Sequence, residues 1–129
     1  MMKCLGAIGA LLIANTPAQA TEWLVCSDGD DKASISVLLG QMEVIAVADI
    51  RIEVGQKKWS TRKEGATLIT KGQAFETDDQ LWIDVTDADV NAIVAELRLF
   101  RTSEGKHSAT GGTLRVTGQG AWAVSCTGS

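Results

Sequence analysis

Apolar side chains occupy every second position over long stretches of this chain. The alternation is clearest in residues 34–39, 44–54, 81–86 and 113–117, where aliphatic residues are interleaved with polar ones. Successive side chains of a β-strand point to opposite faces of the sheet. A period of two therefore predicts strands that have one buried and one exposed face.

The dipeptide Gly-Gln recurs between these stretches, at residues 40–41, 55–56, 72–73 and 118–119. Glycine at the first central position favours a type II′ turn, whose twist matches that of the two strands it joins. We interpret these dipeptides as hairpin turns. Together with the alternation they predict an all-β fold, a small antiparallel β-sandwich or barrel of about 7–9 short strands.

Residues 86–101 fit two patterns. Thr86 and Asp89 have the spacing of a helix capping box, and apolar residues follow at helical intervals. From Ile93 onward, however, the apolar residues also alternate. We predict a single helical turn near residues 87–92, followed by a strand over about 93–101.

The first 20 residues have the features of a signal peptide. A lysine precedes the apolar stretch 4–13, and the segment ends in Ala-Gln-Ala at 18–20. The apolar stretch is shorter than the roughly 20 residues that a membrane-spanning helix needs. We therefore expect cleavage after Ala20, export to the periplasm or the medium of a bacterial cell, and one domain over residues 21–129 with no transmembrane segment.

Such cleavage leaves two of the three cysteines, Cys26 and Cys126. Two cysteines in an oxidising compartment most often form a disulfide. A metal site would need further ligands, and the chain has one histidine. The sequence therefore predicts a disulfide that joins the first and the last strand.

The two cysteines lie in similar hexapeptides, EWLVCS at 22–27 and AWAVSC at 121–126. Trp122 shares a strand face with Cys126, whereas Trp23 lies on the face opposite to that of Cys26. We expect a bulge or a strand-end position to reconcile the two registers. Both tryptophans are predicted to pack in the core, and the alternative is a paired-tryptophan binding platform.

Charge and motifs exclude several function classes. The formal net charge is −4, which argues against a nucleic-acid partner, because phosphates attract a basic surface. The chain contains no phosphate-binding loop, CxxC motif or dinucleotide fingerprint. We therefore expect no cofactor and no enzymatic activity.

One basic segment stands out in this acidic chain. Lys57, Lys58, Arg62 and Lys63 surround Trp59, and these charged neighbours predict that Trp59 faces solvent. Such a cluster could bind an anionic polymer, a lipid headgroup or an acidic protein, with the indole ring in contact with the ligand. The alternative is a solvated hairpin whose lysines prevent an edge strand from pairing with other chains.

Two other polar clusters are predicted to be ordinary loops. The acidic residues at 28–31, 78–79 and 84–89 lack the spacing of a calcium loop, and Asp-Gly in a turn needs no metal. The loop at 103–112 holds the only histidine, His107, beside Ser108. Adjacent residues seldom present their side chains to each other, so we predict a flexible hairpin loop without catalytic residues.

These features favour an exported binding or structural module of the cell envelope, whose ligand the sequence does not identify. We expect it to engage a protein or an anionic envelope polymer through residues 57–63. The alternative is a secreted inhibitor that blocks a hydrolase such as a lysozyme with one of its loops.

Overall fold

The computed structural model describes residues 21–40, 44–62 and 65–128, and within them the chain forms nine β-strands. The strands are β1 (Thr21–Ser27), β2 (Ala33–Gly40), β3 (Ala46–Val54), β4 (Lys57–Ser60), β5 (Thr67–Glu76), β6 (Gln80–Asp87), β7 (Ile93–Glu104), β8 (His107–Val116) and β9 (Gly120–Thr127). The predicted signal peptide lies outside the described residues. The described part of the chain contains no helix that could span a membrane.

The strands follow one another around a closed barrel in chain order, and β9 pairs with β1 to complete it. Neighbouring strands are antiparallel, except that β4 and β5 run parallel to each other. The all-β prediction is therefore confirmed, and the closed barrel replaces the choice between sandwich and barrel. Closure leaves the first and last strands with a partner on both sides, which removes two exposed sheet edges.

The barrel interior is aliphatic. Buried positions alternate with more exposed ones in β2 and most of β7, as the period of two predicts, whereas β3 and β6 each bury two consecutive residues, Asp49–Ile50 and Val85–Thr86. The buried apolar residues of the described chain are Leu24, Cys26, Ala33, Ile35, Val37, Leu39, Val47, Ile50, Ile52, Ile69, Leu81, Ile83, Val85, Ala95, Leu97, Leu99, Leu114, Val116 and Val124. Branched side chains of this kind fill the interior of a small barrel.

The Gly-Gln dipeptides have different roles. Gly55 has φ of 59° and, with Gln56, forms the two-residue turn between β3 and β4. A positive φ at the first central residue alone is what a type II′ turn needs. Residues 118–119 also lie in a turn.

The prediction of a hairpin turn at residues 72–73 is wrong. This dipeptide lies inside β5, where the register with β6 shifts between Lys71 and Ala74. A Cβ atom on Gly72 would lie 2.8 Å from the carbonyl oxygen of Asp84. Glycine is required at position 72 because two backbones approach each other closely at the bulge. Gln41 lies outside the described residues, so the turn expected at 40–41 stays a prediction.

The helical turn expected near residues 87–92 is replaced by a tight loop between β6 and β7. The backbone N–H of Val90 donates to the carbonyl oxygen of Asp87 at 3.1 Å, and the N–H of Asn91 donates to the Asp87 carboxylate at 2.8 Å. Val90 has φ of 59°, which stops the helical path. The strand expected over 93–101 is confirmed and extends to Glu104.

Candidate functional site

The disulfide joins the two closing strands. Cys26 and Cys126 are cross-strand partners, their Cα atoms are 4.0 Å apart, and a disulfide bonds them, as predicted. A disulfide is consistent with an oxidising compartment outside the cytoplasm. Because the bridge joins residues 100 positions apart, it ties both ends of the described chain together.

The tryptophans of the two similar hexapeptides do not share an environment. Trp122 lies on the inner face with Cys126 and packs, half-buried, against the core. Trp23 lies on the outer face of β1, where the Arg51 guanidinium stands 4.8 Å from the centre of its ring. The core role expected for Trp23 is therefore wrong. No bulge is needed to reconcile the two registers, because Trp23 and Trp122 point to opposite faces.

The basic segment begins on β4, the shortest strand of the barrel. β4 follows the turn at Gly55, pairs with β3 over four residues and pairs with β5 only at Trp59 and Ser60. The next residues leave the sheet before β5 begins at Thr67. The segment therefore lies where the wall of the barrel has the fewest backbone pairs.

Lys57 and Lys58 point to opposite sides of β4, because they are adjacent residues of a strand. The Lys57 ammonium group donates a hydrogen bond to Oε1 of Gln119 at 3.3 Å. Nζ of Lys58 lies 3.9 Å from the Glu53 carboxylate, and the Lys58 side chain is 58% exposed. Neither contact buries the charge, so both lysines remain available to a ligand.

Trp59 follows the two lysines on β4 and is half-buried, opposite the core residue Ile52. The expectation that Trp59 is wholly solvent-facing is therefore wrong. Its ring borders an open groove of about 610 Å³, which is lined by Lys57, Lys58, Trp59 and residues 65–67. We call this feature the Trp59 groove. One face of the ring supports the core while another part remains accessible.

Arg62 has a different environment. Its guanidinium Nε lies 3.5 Å from Oδ2 of Asp49, whose side chain is 2% exposed. The Thr61 hydroxyl donates to Oδ1 of the same carboxylate, and the backbone N–H of Thr61 donates to the carbonyl oxygen of Ile50 at 3.1 Å. Arg62 therefore compensates a buried charge and helps to hold the chain beyond β4 against β3.

The structure thus brings three of the five predicted contact residues together, namely Lys57, Lys58 and Trp59. It separates Arg62 from them, and Lys63 lies outside the described residues. Sequence reasoning missed Asp49, whose partners are Arg51, two residues along β3, and Thr61 and Arg62, which lie more than ten residues away. Its place in an otherwise apolar alternating stretch was the only available signal.

The first acidic loop is a turn stabilised by its own side chain. Oδ1 of Asp28 accepts hydrogen bonds from the backbone N–H groups of Lys32 at 2.7 Å and Ala33 at 3.0 Å. The pKa of Asp28 is lowered, chiefly by the Ala33 hydrogen bond and further by that of Lys32, although burial acts in the opposite direction. Over the described residues, no group of three or more acidic, cysteine or histidine side chains could hold a metal ion.

The loop that holds His107 is mostly strand. β7 and β8 pair as far as Glu104 and His107, and the turn is Gly105-Lys106. Pairing of β7 with β6 stops at Phe100, and pairing of β8 with β9 stops at Thr110. Residues 102–109 therefore extend beyond the barrel as a two-stranded ribbon, which we call the β7–β8 ribbon.

Sequence reasoning missed one further surface. Phe75, Trp82 and Phe100 are large exposed side chains on three adjacent strands. The alternation contained a signal for this, because Trp82 and Phe100 fall at polar-face positions of their strands. An aromatic residue at such a position indicates an exposed apolar surface.

Comparison with protein-family models, with curated proteins and with solved structures found no significant match. Among the described residues, the Trp59 groove, the β7–β8 ribbon and the exposed aromatic face are surfaces that a partner could contact.

Proposed function

We propose that this protein is an exported, non-enzymatic binding module of the bacterial envelope that engages an anionic partner through the Trp59 groove. The observation that carries the proposal is the arrangement of two exposed lysines and an accessible indole edge around one open groove. Ammonium groups supply long-range attraction, and the ring supplies contact area that is already held in place by the core.

The partners of these lysines inside the protein are weak competitors for a ligand. An exposed ion pair such as Lys58–Glu53 contributes about 0–1 kcal/mol, because water screens it and two flexible side chains must be ordered. The hydrogen bond from Lys57 to Gln119 is also exposed. A polyanion can replace both contacts with charge-assisted ones.

The Arg62–Asp49 pair has a scaffolding role in this proposal. It fixes the chain that follows β4 and thereby one wall of the groove. The overall charge of the protein is −4, so a polyanion can be attracted only by the positive charges around the groove. Salt should weaken this attraction strongly, because charges separated by more than the Debye length of about 8–10 Å are screened from each other.

Retention on a dextran sulfate matrix tests the proposal. The wild-type protein should be retained at low salt and released by salt, and it should pass unretarded through plain dextran. Lys57→Glu with Lys58→Glu should abolish retention. The matched control is Lys71→Glu with Lys106→Glu, which changes the net charge equally at exposed positions away from the groove. Equal loss in both double variants would mean that net charge alone governs retention, and the proposal would be wrong.

A second function, inhibition of a hydrolase by an inserted loop, is supported by the β7–β8 ribbon. Its eight residues pair only with each other and are exposed at the end of the barrel, a shape that can enter an active-site cleft. Titration of a lysozyme with the protein tests this function. Inhibition that disappears on shortening the ribbon, while retention on dextran sulfate persists, would favour the inhibitor over the polyanion binder.

A further inference from the structure

Both phenylalanines of the chain lie outside the barrel. Phe75 and Phe100 are 53% and 59% exposed, and Trp82 between them is 42% exposed. The core is aliphatic, so the chain places its aromatic surface on the outer face of β5, β6 and β7 instead. Exposed apolar patches of this kind mark contact sites on soluble proteins.

The three rings are neighbours on one face. Phe75 is the direct cross-strand partner of Trp82, and Phe100 lies diagonally across from Trp82 on β7. The centroids of Phe75 and Trp82 are 6.1 Å apart, and their planes are inclined by 61°. Inclined rings do not offer the flat stacking platform that sugar rings need, but apolar side chains fit between them.

The charges beside the rings compensate one another. Arg98 lies 5.0 Å above the Trp82 ring and bonds to Oδ1 of Asp84 at 2.7 Å. Glu96 lies 3.8 Å from Arg98 and also bonds to Arg115. Two arginines and two acids therefore form a neutral row along the aromatic patch, although the protein as a whole is acidic.

We infer that the outer face of β5–β8, centred on Phe75, Trp82 and Phe100, is the contact through which two copies of this chain form a dimer. A two-fold contact brings each patch onto its own copy, so the patch has to be self-complementary. A row in which arginines alternate with acids meets this condition, because a two-fold rotation can place cations of one copy beside anions of the other.

The charge distribution also favours a second copy of this chain as the partner. Two acidic molecules repel each other over most of their surfaces, and a neutral face is where they approach without that cost. Arg98 is already held by Asp84 and the Trp82 ring, so little side-chain freedom is lost on association. Dimer formation through this face leaves the Trp59 groove, on β4, uncovered and is independent of its proposed role.

Sedimentation equilibrium of the oxidised protein, from micromolar to millimolar concentration, tests the inference. The wild-type protein should pass from monomer to dimer with rising concentration, and the midpoint should shift little between low and high salt, because the contact is apolar and charge-compensated. Phe75→Ser with Phe100→Ser should remain monomeric throughout. Val25→Ser, at another exposed apolar position on the outer face of β1, should dimerise like the wild type.

Each other outcome would overturn the inference. A wild-type protein that stays monomeric to millimolar concentration has no such contact, and a dimer that survives in the double serine variant uses another face. Circular dichroism establishes that the variants are folded. If the double variant does not fold, Phe100→Asp replaces it, since a charge brought near the two-fold axis should also abolish the dimer.

Discussion

Single carboxylates stabilise two of the loops in this barrel. Asp28 accepts hydrogen bonds from the backbone of the turn between β1 and β2. Asp49 is buried beneath Thr61 and Arg62, where it ties the chain beyond β4 to β3. A carboxylate that accepts backbone hydrogen bonds, as Asp28 does, is stabilised in its charged form.

Asp28 should make the folded state sensitive to acid. Its pKa is lowered in the folded state, so its stabilising effect is complete above the ordinary carboxyl range near about pH 4 and is lost as the pH falls through the lowered value. Urea unfolding as a function of pH should show a smaller loss of stability below about pH 4 in Asp28→Asn than in the wild type. Asp30→Asn, at an exposed position of the same turn, is the control and should keep the wild-type slope.

Trp59 and Trp122 should contribute similarly to stability, because each is half-buried against the core. Replacement of a buried aromatic residue by alanine costs about 3–5 kcal/mol, so partial burial should give about 2–3 kcal/mol at each position. The free energy of unfolding in urea, measured for Trp59→Ala and Trp122→Ala, checks this. A loss below about 0.5 kcal/mol at Trp59 would place its ring in solvent.

For single residues, the sequence predicts the burial of aliphatic side chains well and that of the tryptophans poorly. Alternation decides the face of most Ile and Val residues, because one face of a strand is apolar. It failed at the start of β3, where Val47 is buried and Ala48 is exposed and where the register with β2 shifts. Trp59 was misjudged because its neighbours are lysines, although the ring itself reaches the core. Trp23 was misjudged because a large apolar residue can lie outside when a cation such as Arg51 covers it.

Two elements depart from the regular barrel in opposite ways. β4 is too short to bridge β3 and β5 along their length, whereas β7 and β8 extend beyond their outer neighbours. The short strand β4 leaves space for the Trp59 groove, and the long strands β7 and β8 form the β7–β8 ribbon. The ribbon lies beyond the continuous wall and can change without altering the core, whereas β4 supports the core through Trp59.

Shortening the β7–β8 ribbon should hardly affect stability. Deletion of residues 103–104 and 107–108 retains the turn and, since two residues leave each strand, keeps every side chain on its face. The free energy of unfolding should change by no more than about 0.5 kcal/mol, because the deleted residues are exposed and their backbones pair only with each other. A loss above about 2 kcal/mol would mean that the ribbon packs on the barrel.

The sequence predicts most elements but misassigns two junctions. The bulge at Gly72 resembled a turn, because the dipeptide matches a turn signal and the close approach of the Asp84 backbone is not visible in the sequence. The tight loop at residues 87–92 resembled a helix start, because Thr86 and Asp89 have capping-box spacing, but the Asp87 carboxylate accepts from the backbone N–H of Asn91 instead. At Gly72 the deciding contact comes from tertiary structure, whereas at residues 87–92 it comes from the loop itself.

The whole molecule is closed by one backbone pairing and one covalent bond. β9 and β1 share a short register that contains the Cys26–Cys126 bridge. The number and spacing of the cysteines made this bridge predictable. The parallel pairing of β4 with β5 was not predictable, because a hairpin meander implies antiparallel neighbours throughout.

Cys26→Ser with Cys126→Ser should destabilise the protein by about 2–5 kcal/mol, because the bridge restricts a long loop of the unfolded chain. The aliphatic core should still fold, so the urea transition should remain cooperative with a lower midpoint. The reduced wild-type protein is the control and should match the double variant. An unchanged midpoint would mean that strand pairing alone closes the barrel.

The most direct test of the proposed function is a titration of the ¹⁵N-labelled protein with dextran sulfate, followed by amide chemical shifts. We expect salt-sensitive shifts that concentrate on residues 57–60 and 65–67, around the Trp59 groove. The chemical shifts of amides in the β7–β8 ribbon and in the Phe75–Trp82–Phe100 face should not change. Shifts confined to either of those two surfaces, or no shifts at low salt, would contradict the proposal that the Trp59 groove is an anion-binding site.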